Sequence, residues 1–131
     1  MVKDKEISVV FYQRRYREDK WRQHLVDADL DALFAELVPE LKSFDFHLCR
    51  VEEPSMEMEI KGYGDLLNSI RLRAPAQGVG NMCLGHIIGA SRNLDLAEDI
   101  RRGVNRVAFA PETIEPEGSD KIVCHNCGCG C

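Results

Sequence analysis

The run Ile7-Ser8-Val9-Val10-Phe11-Tyr12 constrains the fold more than any other feature of the chain. Six residues dominated by β-branched and aromatic side chains, with no clean alternation, fit a strand buried on both faces. Such a strand belongs in the interior of a sheet, so the rest of the chain must supply neighbours on both sides. From Asp27 the apolar residues Leu30, Leu33, Phe34, Leu37, Val38 and Leu41 recur at steps of three and four, which predicts a helix with one apolar face. Asp27 or Asp29 can cap it. Pro39 falls inside the pattern and is expected to kink or fray the last turn, because proline lacks the amide proton and crowds the turn before it.

Three segments then alternate with period two, the signature of half-buried strands. Phe44, Phe46 and Leu48 oppose Asp45, His47 and Cys49; Met56, Met58 and Ile60 oppose Glu57, Glu59 and Lys61; Ile70, Leu72 and Ala74 oppose Arg71 and Arg73. If the second and third pair antiparallel through the connection from Gly62 to Ser69, Glu57 and Glu59 face Arg71 and Arg73 across the ladder. Residues 75–89 are rich in glycine and read as a structural loop. Gly78-Val79-Gly80 within them lacks the spacing and the Gly-Lys-Ser/Thr ending of a phosphate loop. Asn93 can cap a short helix through Leu94, Ala97 and Ile100, with Gly103 in the stop position and Val107 to Ala110 as a last strand. The expected fold is α+β: a small mixed or antiparallel sheet with helices on one face, and a Cys-rich C-terminal tail. Residues 1–110 form the domain, 111–120 an acidic Pro/Gly linker and 121–131 the tail.

With 131 residues, 44% of them hydrophobic and 30% charged, the chain has the composition of one folded domain. Its net charge of −5 is segregated: residues 1–22 carry +3, residues 23–65 carry −8 and residues 66–131 are neutral. That balance argues against general binding to a phosphate backbone, and the run Arg14, Arg15, Arg17, Lys20 and Arg22 reads as a solvated edge. No stretch is long and apolar enough for a membrane helix, and Ile7 to Tyr12 is too short for a signal-peptide core. The expectation is a cytoplasmic protein, where clustered cysteines serve as metal ligands or redox thiols more often than as disulfides.

Four of the six cysteines, Cys124, Cys127, Cys129 and Cys131, fall within eight residues with the spacing C-x-x-C-x-C-x-C. Thiols that close can turn toward one centre, and Gly128 and Gly130 between them avoid side-chain crowding. As thiolates they are soft ligands suited to iron–sulfur clusters, zinc or copper(I). One zinc held by all four requires very tight chelate rings, whereas an iron–sulfur cluster spreads its iron atoms over a wider body. An iron–sulfur cluster is therefore the expected cofactor, with zinc or another soft metal as the alternative. The heptad Val123 to Cys129, V-C-x-x-C-x-C, is similar to the metal claw of nitrile hydratase α subunits, where three thiolates and two backbone amides hold cobalt or iron. The likeness covers seven residues and implies a metal, not that enzyme's activity.

Cys83 and His86, three residues apart, are further candidate ligands, with a buried thiol and a satisfied histidine as the plainer reading. His125 lies between the thiols and is placed to tune the site. No Ser, His and acid arrangement points to hydrolysis, and Glu98 and Asp99 read as solvated helix residues. The expected role is that of an accessory protein or small subunit in electron transfer or metallocofactor assembly, working with a protein partner or a larger enzyme complex. Assembly as a homo-oligomer is open, and neither nucleic acid nor membrane is expected as a partner. The alternatives are a thiol-based carrier of sulfur, soft metal or metalloid, and a zinc-stabilised interaction module.

Overall fold

The computed structural model describes residues 5–18, 20, 21, 27–89, 91 and 94–114. Ile7 to Tyr12 lie, as expected, in an interior strand, β1 (Lys5–Tyr16), where Ile7, Val9, Val10, Phe11 and Tyr12 are all buried. Helix α1 (Asp27–Lys42) and strand β2 (Phe46–Ile60) follow, and β2 runs parallel to β1. Helix α2 (Tyr63–Asn68) carries the chain to β3 (Ile70–Ala74), which pairs antiparallel with the other side of β1. A 3-10 turn, Pro75–Gln77, leads into β4 (Val79–Cys83), antiparallel to β3. Helices α3 (Leu84–Ile88) and α4 (Leu96–Phe109) complete an α+β fold on a four-stranded mixed sheet of order β2-β1-β3-β4. Ile7, Val9 and Phe11 share a single core with Leu30, Leu33, Leu37 and Leu41 of α1, Leu66 of α2, Leu84 and Ile87 of α3, and Ile100, Val104 and Val107 of α4.

Several local expectations are corrected by the tertiary structure. The first two alternating segments are halves of one fifteen-residue strand. Its register on β1 jumps from Tyr12 opposite Glu53 to Gln13 opposite Glu57, leaving Pro54, Ser55 and Met56 without an opposite residue. Pro54 has no amide proton to donate, so the ladder breaks where it stands and resumes beyond it. The expected pairing of Glu57 and Glu59 with Arg71 and Arg73 does not form, because the connection after Gly62 is helical and carries β3 to the far side of β1. Arg15 meets both Glu57 and Glu59 instead, at 3.7 and 3.2 Å, and Arg17 meets Glu59 at 3.6 Å.

Helix α1 does not fray at Pro39. It continues to Lys42 and closes through Phe44 N–H to Leu41 O and Asp45 N–H to Lys42 O, with Asp45 at φ +67°. The carbonyl that Pro39 leaves without an intrahelical donor belongs to exposed Ala35, where water can serve it.

The glycine-rich segment is a hairpin and a helix rather than a loop. Gly78 supplies the positive φ of +78° at the turn into β4. Helix α4 is capped by Asp95, whose carboxylate accepts from Glu98 N–H at 3.2 Å, and Asn93 lies outside the described residues. Gly103 does not stop this helix, and Val107 to Phe109 are its last turn rather than a strand. A Cβ at Gly103 would stand 2.4 Å from Leu84 Cδ1 and 3.3 Å from Leu72 Cδ1, so glycine is needed for close approach of α4 to α3 and β3. Past α4, in the segment expected to be linker, Pro111–Thr113 form a 3-10 turn and Ile114 is buried in the core. No helix among the described residues is long and apolar enough to cross a membrane.

Candidate functional site

Cys124, His125, Cys127, Cys129 and Cys131 lie outside the described residues. Within them, the structure brings Cys83 and His86 together at the junction of β4 and α3. Cys83 is the N-cap of α3, and its Sγ accepts from the His86 backbone N–H at 3.4 Å. Both residues are buried, at 0 and 7% exposure. Among the described residues, no three His, Cys, Asp or Glu side chains gather where they could hold a metal ion.

Cys49 is half-buried on β2 and donates its thiol proton to Glu6 Oε1 at 3.8 Å. Burial pushes its pKa up, and the charge of Glu6 and its hydrogen bond add to the shift. A thiol held protonated in this way is a poor nucleophile and a poor ligand.

The basic run at the end of β1 and just past it is engaged within the fold as far as Lys20, and Arg22 lies outside the described residues. Besides the pairs of Arg15 and Arg17, Arg14 donates to Tyr16 Oη at 2.9 Å and to the Tyr12 carbonyl at 3.0 Å, and Lys20 pairs with Glu18 at 3.3 Å. These are exposed or half-exposed contacts, and pairs of this kind contribute at most about 1 kcal/mol each.

The best-defined polar site is one the sequence reading missed. Asp99, expected to be solvated, is 2% exposed and accepts from the Tyr63 hydroxyl at 2.5 Å. Its other carboxylate oxygen takes a bond from Arg102 at 3.3 Å. The signal was available, since Asp99 lies on the same face of α4 as Leu96, Ile100 and Gly103, and an acid on an apolar stripe needs a buried partner. Burial pushes the Tyr63 pKa far above its ordinary range, and the hydrogen bond to Asp99 pushes the same way, against a smaller opposing effect of Ser91. The pair therefore holds a neutral donor against a carboxylate whose two oxygens are both engaged. That arrangement clasps α2 to α4.

A raised tyrosine pKa in the folded state stabilises the fold below the unfolded value of about 10, and that contribution is lost as pH rises toward the folded value. The expected result is a stability that declines above about pH 10, with a smaller decline in Tyr63→Phe. Urea unfolding at neutral and alkaline pH checks this, and parallel pH profiles for the two proteins would remove Tyr63 from the account.

A second clasp joins α1 to α4. Arg101 donates to both Glu36 oxygens, at 2.8 and 2.9 Å, and its guanidinium holds the Glu36 carboxyl below the usual carboxylate range. Asp29, Asp95 and this pair line a cleft of about 380 Å³ between the two helices.

Comparison of the chain with known protein families, with curated proteins and with solved structures gives no match.

Proposed function

We propose that this chain is a metal-binding accessory protein or small subunit, acting in electron transfer or metallocofactor assembly. Cys124, Cys127, Cys129 and Cys131 are the ligands, and the centre is an iron–sulfur cluster. The observation that carries this reading is the spacing C-x-x-C-x-C-x-C, four soft donors within eight residues separated by small or polar ones. Support comes from the described thiols. Cys49 is held toward its neutral thiol by burial and Glu6, and Cys83 is buried in the cap of α3, which leaves the four C-terminal cysteines as the stronger ligand candidates. His125, between two ligands, tunes the site by a hydrogen bond. Thiolates of this kind fit a reducing cytoplasm, and the small domain fits a place within a larger complex.

Anaerobic purification, followed by iron, sulfide and zinc analysis and a visible absorption spectrum, tests the proposal. Iron and sulfide in comparable amounts, with charge-transfer absorption in the visible, are expected. A colourless protein with one equivalent of zinc would turn the reading to a zinc-stabilised interaction module. A metal-free protein that accepts sulfur or a metalloid on its thiols would make it a carrier.

A further inference from the structure

Side chains alternate between the two faces of the sheet, and the apolar residues of the helices gather on one of them. Ile7, Val9 and Phe11 of β1 and Leu72 of β3 share their core with residues from all four helices. The other face carries Val10 and Tyr12 of β1, Arg71 opposite Val10, and Cys83 opposite Arg71. Val10, Tyr12 and Cys83 stand outside that core, and yet all four residues are buried, Tyr12 at 5% exposure and Arg71 at 2%. The Arg71 guanidinium lies 5.1 Å from the Tyr12 ring. On a bare sheet face, side chains as long as these keep their polar ends in water, so their burial calls for a covering layer.

A layer over Arg71 has to suit a cation. The β3 part of this face carries Arg71 and Arg73, the second of which donates to Asn81 Oδ1 at 3.1 Å. The acids of the face, Glu6 and Glu53, stand on β1 and β2, and Glu6 is engaged by Cys49 and Ser8.

Chain order and charge together select the layer. Arg106 donates to Thr113 Oγ1 at 2.8 Å and to the Ile87 carbonyl, which sets Ile114 beside α3, and α3 continues directly from the edge strand β4. Residues 115–123 come next; nine residues reach about 30 Å when extended, and β4 stands about 10 Å from β1. They begin with three acids, Glu115, Glu117 and Asp120, and end in Ile122 and Val123. No other segment outside the described residues brings more than one acid. We infer that residues 115–123 pack across this face of β3 and β1, with their acids against Arg71 and Arg73 and with Ile122 and Val123 over Val10 and Tyr12. The cysteine-bearing segment is thereby held against the domain, and a partner of those thiols meets this face as well. The inference rests on burial and charge at the sheet and not on the proposed metal centre, so each can fail without the other.

The test is NMR of the full-length chain carrying Cys124→Ser, Cys127→Ser, Cys129→Ser and Cys131→Ser, which keeps residues 115–123 and removes the ligands of the proposed centre. Nuclear Overhauser effects from the Val10 methyls and the Tyr12 ring to Ile122 and Val123 are expected. Adding Glu115→Lys, Glu117→Lys and Asp120→Lys together should remove them and speed exchange of the Arg71 Nε proton by about tenfold or more. Glu112→Lys, on the exposed turn before Ile114, should leave both readings unchanged. Overhauser effects to residues 22–26 instead, none to residues 115–123, or an Arg71 proton that exchanges equally fast with and without the three lysine substitutions would overturn the inference. So would effects that arise only between molecules in a mixture of labelled and unlabelled chain, which would make a second copy the cover.

Discussion

Replacing Cys124, Cys127, Cys129 and Cys131 together by serine is expected to abolish metal binding and to leave the stability of the domain within about 0.5 kcal/mol. The two halves of this expectation rest on different grounds. Serine hydroxyls do not replace thiolates as ligands for a soft metal, so metal content should fall to background. Among the described residues the hydrophobic core already closes on elements up to Ile114, so the unfolding transition should not need the four cysteines. Metal analysis and urea unfolding of the same preparation separate the outcomes. Metal retained in the quadruple variant would remove these residues as the ligands. A fold lost along with the metal would mean that the centre is part of the structure, as in small zinc domains, rather than a device carried by it.

The largest effect on stability is expected at Gly103. Gly103→Val places a branched side chain where even a Cβ would lie 2.4 Å from Leu84 Cδ1, with Leu72 Cδ1 at 3.3 Å on another side. Leu84 and Leu72 are fully buried, so neither can swing away into solvent. Overpacking of this kind costs about 2–3 kcal/mol, against a gain of a few tenths from replacing glycine inside a helix. For a domain of this size that lowers the thermal midpoint by about 10 °C. Leu84→Ala in the same background should recover part of the loss, since the space vacated by leucine accepts the added methyl groups. A Gly103→Val protein with the midpoint of the wild type would mean that α4 does not approach α3 as closely as described. Additive losses in the double variant would mean that Gly103 and Leu84 do not share that space.

Gly103 also shows where local reading fails. After a short helical pattern, glycine is the usual stop signal, and Val107 with Ala108 then resembles the start of a strand. The same residues continue a helical stripe through Leu96, Ile100, Gly103, Val104 and Val107, all buried. A glycine that ends a helix and a glycine that lets two helices touch look alike in sequence, and only the position of Leu84 distinguishes them. Asp99 is a similar case. Its place on the apolar stripe was visible, but the partner that makes burial tolerable, Tyr63, is thirty-six residues away.

The sequence by itself determined the elements whose physics is local. The run of β-branched and aromatic residues from Ile7 to Tyr12 dictated an interior strand at β1, the three-and-four spacing dictated α1, and alternation marked β3 and both halves of β2 as strands. It also placed four cysteines within eight residues, a matter of spacing alone. Tertiary structure decided which strands meet. The two halves of β2 pair with one strand, in parallel, with Pro54 interrupting the ladder, and the acids at Glu57 and Glu59 find Arg15 and Arg17 rather than the equally suitable arginines of β3. Opposite charges and alternating faces make many pairings acceptable. Which one forms depends on where a connection such as α2 carries the chain, and on burying every apolar face in one core, and both are settled by contacts between residues far apart in sequence.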